Sequence, residues 1–69
     1  MYNVVMKKRD LEKELRACGW WFLRPGGNHD IWTNGEINEP VPRHTEINEF
    51  TARAIIRKAR NNPAKKRKE

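Results

Sequence analysis

His29 is the residue in this chain best placed to do chemistry. It follows Gly26, Gly27 and Asn28 and opens a run of strand-forming residues. An imidazole titrates near neutrality and serves as general base or general acid. Metal-free cleavage of RNA calls for such a group. The base takes the proton of a ribose 2′-hydroxyl, and the oxygen attacks the adjacent phosphorus. Nearby cations then stabilise the charge that builds on the phosphate. Arg24, Arg43 and Lys8 are cations available for that task. Glycines at 26 and 27 set a tight turn and let a nucleic-acid backbone come close. The plainer reading of one histidine in a strand, favoured by position alone, is a polar surface residue or a satisfied interior one. For His44, in the Pro42-Arg43-His44 loop, phosphate contact or loop packing fits better than catalysis.

Other chemistries are excluded or weak. Cys18 is the one cysteine, so no intrachain disulfide and no CxxC metal spacing exist. Without an activating base near it in sequence, it reads as a small core residue. His29 and His44 stand fifteen residues apart with no further His or Cys to complete a zinc site. No metal or other cofactor is therefore expected. No apolar run approaches the ~20 residues of a membrane span, and the N-terminal residues lack the apolar stretch of a signal peptide. A reducing cytoplasm is the expected location. The formal charge is +6 with a pI near 10, which suits nucleic acid or an acidic partner. Half of that charge lies in the closing KKRKE and reads equally as a solvated tail.

The elements that must position His29 are short. Residues 20–44 hold all three tryptophans, both histidines and every glycine but one. They read as three strands. The first, residues 20–24 (WWFLR), is rich in aromatics. With period 2, Trp20, Phe22 and Arg24 share one face and Trp21 and Leu23 the other. The second pair suits the face against the helices, although either assignment is open. An exposed aromatic here could stack on a base, but core filling is the stronger reading. Pro25-Gly26-Gly27 is a turn by residue chemistry. The second strand covers residues 28–33, with His29, Ile31 and Thr33 on one face. Asn34-Gly35 predicts a type I′ hairpin turn. The third strand covers residues 36–41, and Pro40 marks it as an edge.

Helices flank this meander. Residues 8–18 place Leu11, Leu15 and Cys18 on one stripe, and Gly19 is the expected left-handed residue after the helix. Its N-terminus offers lysines where Ser, Thr or Asp would cap. Asn48 is a good N-cap for a second helix over residues 49–60, with Ala52, Ile55, Ile56 and Ala59 on one face. The first six residues could pair as a brief strand or stay disordered. The order predicts an α+β domain, α-β-β-β-α, with a three-stranded antiparallel sheet and both helices on one face. Its other face is open to water. Residues 7–60 form this single domain and residues 61–69 a basic tail.

The segments KKRDLEKELRACGWWFLRPGGNHDIW, NG, VPRH and TARAIIRKA, in this order over residues 7–59, resemble the HicA toxin family. These are the messenger-RNA-cleaving halves of toxin–antitoxin pairs. The helix-Gly-Trp junction, Gly27-x-His29 and Val41-Pro42-Arg43-His44 carry most of the likeness. The resemblance implies a fold like the double-stranded-RNA-binding domain. It implies a ribosome-independent endoribonuclease whose catalytic histidine maps to His29. It also implies a HicB-like antitoxin that covers the histidine, with operator DNA contacted only through that antitoxin. Two departures are Asn28, where the family usually has Ser, and Lys8, where it often has a Ser or Thr cap. Asn still hydrogen-bonds a backbone or a phosphate.

On this reading His29 is the general base or acid, and Gly26, Gly27, Asn28, Arg43 and Lys8 contact RNA. The alternative is a non-catalytic RNA-binding module of the same shape. A third possibility, direct duplex-DNA binding, lacks a helix-turn-helix signal, because the meander separates the two helices.

Overall fold

The computed structural model describes residues 4–64. Residues 1–3 and the lysine-arginine end of the tail (65–69) lie outside the described residues. Seven elements follow one another: β1 (Val5–Lys7), α1 (Lys8–Ala17), β2 (Trp21–Gly26), β3 (His29–Thr33), β4 (Asn38–Pro42), β5 (Glu46–Asn48) and α2 (Glu49–Asn61). The expected α-β-β-β-α order is therefore corrected to β-α-β-β-β-β-α. The expected three-stranded sheet is present, antiparallel, in the order β2-β3-β4. The two added strands, β1 and β5, pair only with each other, Met6 opposite Ile47. β1 is the brief strand that the first six residues offered as one option, while β5, at three residues, carries too little pattern to be read without its partner.

Local chemistry explains each helix. The lysines at the start of α1 provide no side-chain cap. The Lys8 amide instead donates to the Thr45 carbonyl at 2.8 Å, a cap supplied from across the fold. At the other end Gly19 has φ +87°. Its amide donates to Arg16 O and that of Trp20 to Leu15 O. This is the Schellman arrangement, and it needs a residue free to enter the left-handed region. Trp20, just beyond, is buried. For α2 the Asn48 side chain accepts from the amides of Phe50 (2.8 Å) and Thr51 (3.4 Å).

Leu11 and Leu15 of α1, and Ala52, Ile55, Ile56 and Ala59 of α2, form one buried cluster with Trp20, Trp32, Val41 and Ile47. Trp32 and Val41 occupy the same face of the sheet, because Trp32 pairs with Glu39 and Asp30 with Val41. Both helices thus cover that inner face. His29, Ile31 and Thr33 belong to the outer face.

Two turns differ from expectation. The β2–β3 connection is Gly27-Asn28, since Pro25 and Gly26 are already paired with Asp30 and His29. Gly27 has φ +60° and no non-glycine residue among the described residues has positive φ, the pattern of a II′ turn with glycine first. Between β3 and β4 a four-residue loop, 34–37, replaces the two-residue I′ turn. Asn34 stays out of the left-handed region because its side chain closes the loop. Its Oδ1 accepts from the amides of Glu36 and Ile37, both at 2.8 Å. Its Nδ2 donates to Asn62 O at 2.9 Å. Trp20 Nε1 donates to the same carbonyl, and Ala64 N donates to Cys18 O. The chain after α2 therefore returns across the end of α1.

Candidate active site

β3 is the central strand, and His29 is its first residue. Its register partners are Gly26 on β2 and Pro42 on β4. One has no side chain and the other a short ring, so the exposed imidazole stands clear on the outer face. It makes no hydrogen bond or ion pair with the described residues. The glycine at 26 has a further cause. A Cβ there would come within 2.8 Å of Ile31 Cγ1, so Ile31 lies over Gly26 and on the same face as His29. Gly27 is different: a Cβ would meet nothing within 4 Å, and its φ alone calls for glycine. Asn28 is exposed at the turn.

β2 departs from simple alternation. Phe22 pairs with Trp32 and Arg24 with Ile31, so the ladder shifts between them and Leu23 is an additional residue. Such a bulge re-aims the side chains that follow it. Phe22 remains on the inner side, edge-on to Trp32 with ring centroids 6.5 Å apart. Arg24 passes to the outer face with His29, not to the Phe22 face that period 2 assigns. Trp21, opposite Thr33, is on the outer face too. The expected placing of Trp21 and Leu23 against the helices is therefore reversed. Trp21 is 40% exposed, Leu23 42% and Phe22 47%, whereas Trp20 is 2%.

The other two cations considered, Lys8 and Arg43, meet on the inner side at a residue that sequence reasoning passed over. Asp30 accepts from Arg43 Nε at 2.8 Å and pairs with Lys8 Nζ at 3.3 Å. Lys8 also binds Glu12, which faces Arg16 at 3.9 Å. The Arg43 hydrogen bond, then the Lys8 contact, hold the Asp30 carboxyl below the usual carboxylate range against the opposing effect of burial. Glu12 first, and then Asp30, hold the Lys8 ammonium above the usual lysine range, again against burial. This chain of charges ties α1, β3 and the segment after β4 together directly beside His29. Lys8 and Arg43 thus have their charges engaged by carboxylates, while Arg24 has no ion pair among the described residues. The signal for Asp30 in the sequence was only its adjacency to His29. Its two partners come from residues 8 and 43.

His44 is exposed in the loop between β4 and β5 and makes no side-chain hydrogen bond among the described residues. A shallow cleft of about 370 Å³ runs past Lys7, Lys8, Arg9 and Thr45. A larger one, about 410 Å³, lies between the helices. Neither is lined by His29, which sits on an open surface. No three His, Cys, Asp or Glu side chains converge as metal ligands among the described residues. No helix there is long and apolar enough to cross a membrane.

The fold and site define a small basic α+β protein with an unpartnered imidazole and a free guanidinium on the open face of a three-stranded sheet. The model of the HicA toxin of bacterial toxin–antitoxin systems matches residues 9–60, and the chain belongs to that family. The curated proteins and the solved structures yielded no match. Membership in a toxin–antitoxin family implies an antitoxin partner.

Proposed function

We propose that this toxin is an endoribonuclease that cleaves messenger RNA in the cytoplasm without a metal, with His29 as its general acid or base. One observation carries the reading. His29 is an exposed, unpartnered imidazole at the start of the central strand, flanked by Gly26 and Pro42, and it shares its face with the free guanidinium of Arg24. An open surface suits a polymeric substrate. His29 takes the proton of the 2′-hydroxyl or delivers one to the leaving 5′-oxygen. Gly26, Gly27 and Asn28 let the RNA backbone approach at the turn. Arg24 neutralises phosphate, and Arg43 and Lys8 add positive potential from behind β3 while holding Asp30. A HicB-like antitoxin silences the toxin by covering this face.

The test is His29→Ala. Loss of general acid–base catalysis typically costs ~10²–10⁴-fold, so RNA cleavage in chelator and growth arrest should both vanish. The circular dichroism spectrum should not change, because the side chain is exposed. Cleavage at near wild-type rate by the folded variant would overturn the assignment. Tight RNA binding by the wild-type chain with the RNA left intact would favour the non-catalytic module instead.

A further inference from the structure

We infer that the outer face of β2 is the track along which single-stranded RNA lies, with one base stacked on Trp21 and a phosphate held by Arg24. The inference rests on the reading of His29 as the residue at the scissile phosphate. Three side chains of different chemistry fall on one face in one line. His29 is at one end of β3. Arg24 is opposite Ile31, and Trp21 is opposite Thr33. At ~3.3 Å per residue, Arg24 is displaced from His29 by about 7 Å along the strand and Trp21 by about 13 Å. A guanidinium at the first distance reaches a phosphate next to the scissile one. An indole at the second reaches a base one or two nucleotides further on.

Trp21 has the properties of a stacking platform. Among the three tryptophans it alone is substantially exposed, since Trp20 and Trp32 are 2% and 1% exposed. The tip of its ring lies against Gly35, where a Cβ would come within 3.3 Å of its Cη2, and Thr33, its register partner, is buried. Aromatic rings fixed beside a basic groove bind single strands with little sequence preference, because every base has a π-face. The bulge at Leu23 is what makes the line. In strict alternation Trp21 and Arg24 would lie on opposite faces. The extra residue places both on the face that carries His29, at the cost of one break in the ladder. The charge complementarity favours RNA over an apolar partner: Arg24 is unneutralised, and Asn38, Pro40 and Pro42 complete a face without a carboxylate.

The experiment uses the full chain carrying His29→Ala, so that bound RNA stays intact, and a fluorescein-labelled single-stranded RNA. Anisotropy gives the affinity. Trp21→Ala should weaken binding about tenfold or more, and Trp21→Phe should retain most of it. Arg24→Gln should lower affinity and reduce the magnitude of the salt slope by about one. With His29 intact, Trp21→Ala should raise KM on long RNA and leave kcat unchanged. Unchanged RNA affinity in both Trp21→Ala and Arg24→Gln would overturn the track, as would weakening of the antitoxin complex alone. These outcomes are independent of the catalytic assignment, because binding is read in a background that cannot cleave. If Trp21→Ala fails to fold, Arg24→Gln and the Trp21→Phe comparison still decide the matter.

Discussion

Replacing Asp30 by Asn tests the ion-pair network behind the site. The carboxylate meets Arg43 at 2.8 Å and Lys8 at 3.3 Å, and its side chain is 17% exposed. A unit pair at 4 Å attracts by ~4 kcal/mol at an effective dielectric constant of 20, and desolvation offsets much of that. Exposed pairs contribute ~0.2–1 kcal/mol and hydrogen bonds to charged groups ~1.5–3 kcal/mol. Arg43 is 43% exposed, Lys8 keeps Glu12, and Asn still offers one acceptor. Asp30→Asn should therefore cost about 1–2 kcal/mol at pH 7. For a domain of this size that lowers Tm by about 5–15 °C. The sign with pH follows from the depressed carboxyl. Its contribution is present above the unfolded value of ~3.9 and is lost as pH falls through the lower folded value. Thermal melts of the two proteins should differ at pH 7 and converge as pH falls below the depressed folded-state value of Asp30. Arg43→Gln added to Asp30→Asn should cost less than it does alone, since the pair is already broken. Equal melting temperatures at pH 7, or a gap that persists at low pH, would refute the network as a source of stability.

Two further substitutions probe the frame. Gly26→Val places a side chain where Ile31 already lies. Overpacking of ~1–3 kcal/mol should appear in urea titration, and RNA cleavage should fall because the new branch crowds His29. Asn34→Ala removes the oxygen that serves the Glu36 and Ile37 amides and the donor to Asn62. A loss of about 2–3 kcal/mol is expected by denaturant melting, with faster amide exchange at Glu36 and Ile37.

Much of this was legible without coordinates. The stripe Ala52, Ile55, Ile56, Ala59 and the cap Asn48 are local patterns, and local patterns survive folding. Gly19 as the left-handed end of α1 and β4 as an edge strand marked by Pro40 are of the same kind. Where reading by residue failed, a distant partner intervened. Asn34-Gly35 favours a I′ turn in isolation, but Asn34 has Asn62 to bind and becomes the loop's clasp. The lysines that fail to cap α1 are excused by a carbonyl from Thr45. The strands β1 and β5 exist only because they find each other across the fold.

What the sequence by itself determined is the list of parts: two amphipathic helices, a meander between them, and one histidine mounted on glycines. Those follow from side-chain periodicity and backbone freedom, which act over a few residues. The tertiary structure alone decided which side chains meet. A single extra residue in β2 moved Arg24 onto the face of His29, because one step of register exchanges the two faces of a strand. The same packing drew Lys8 and Arg43 to Asp30 on the opposite face, since a partly buried carboxylate must be matched by charge. The composition of the site was written along the chain, and its geometry arose from pairing between residues far apart in it.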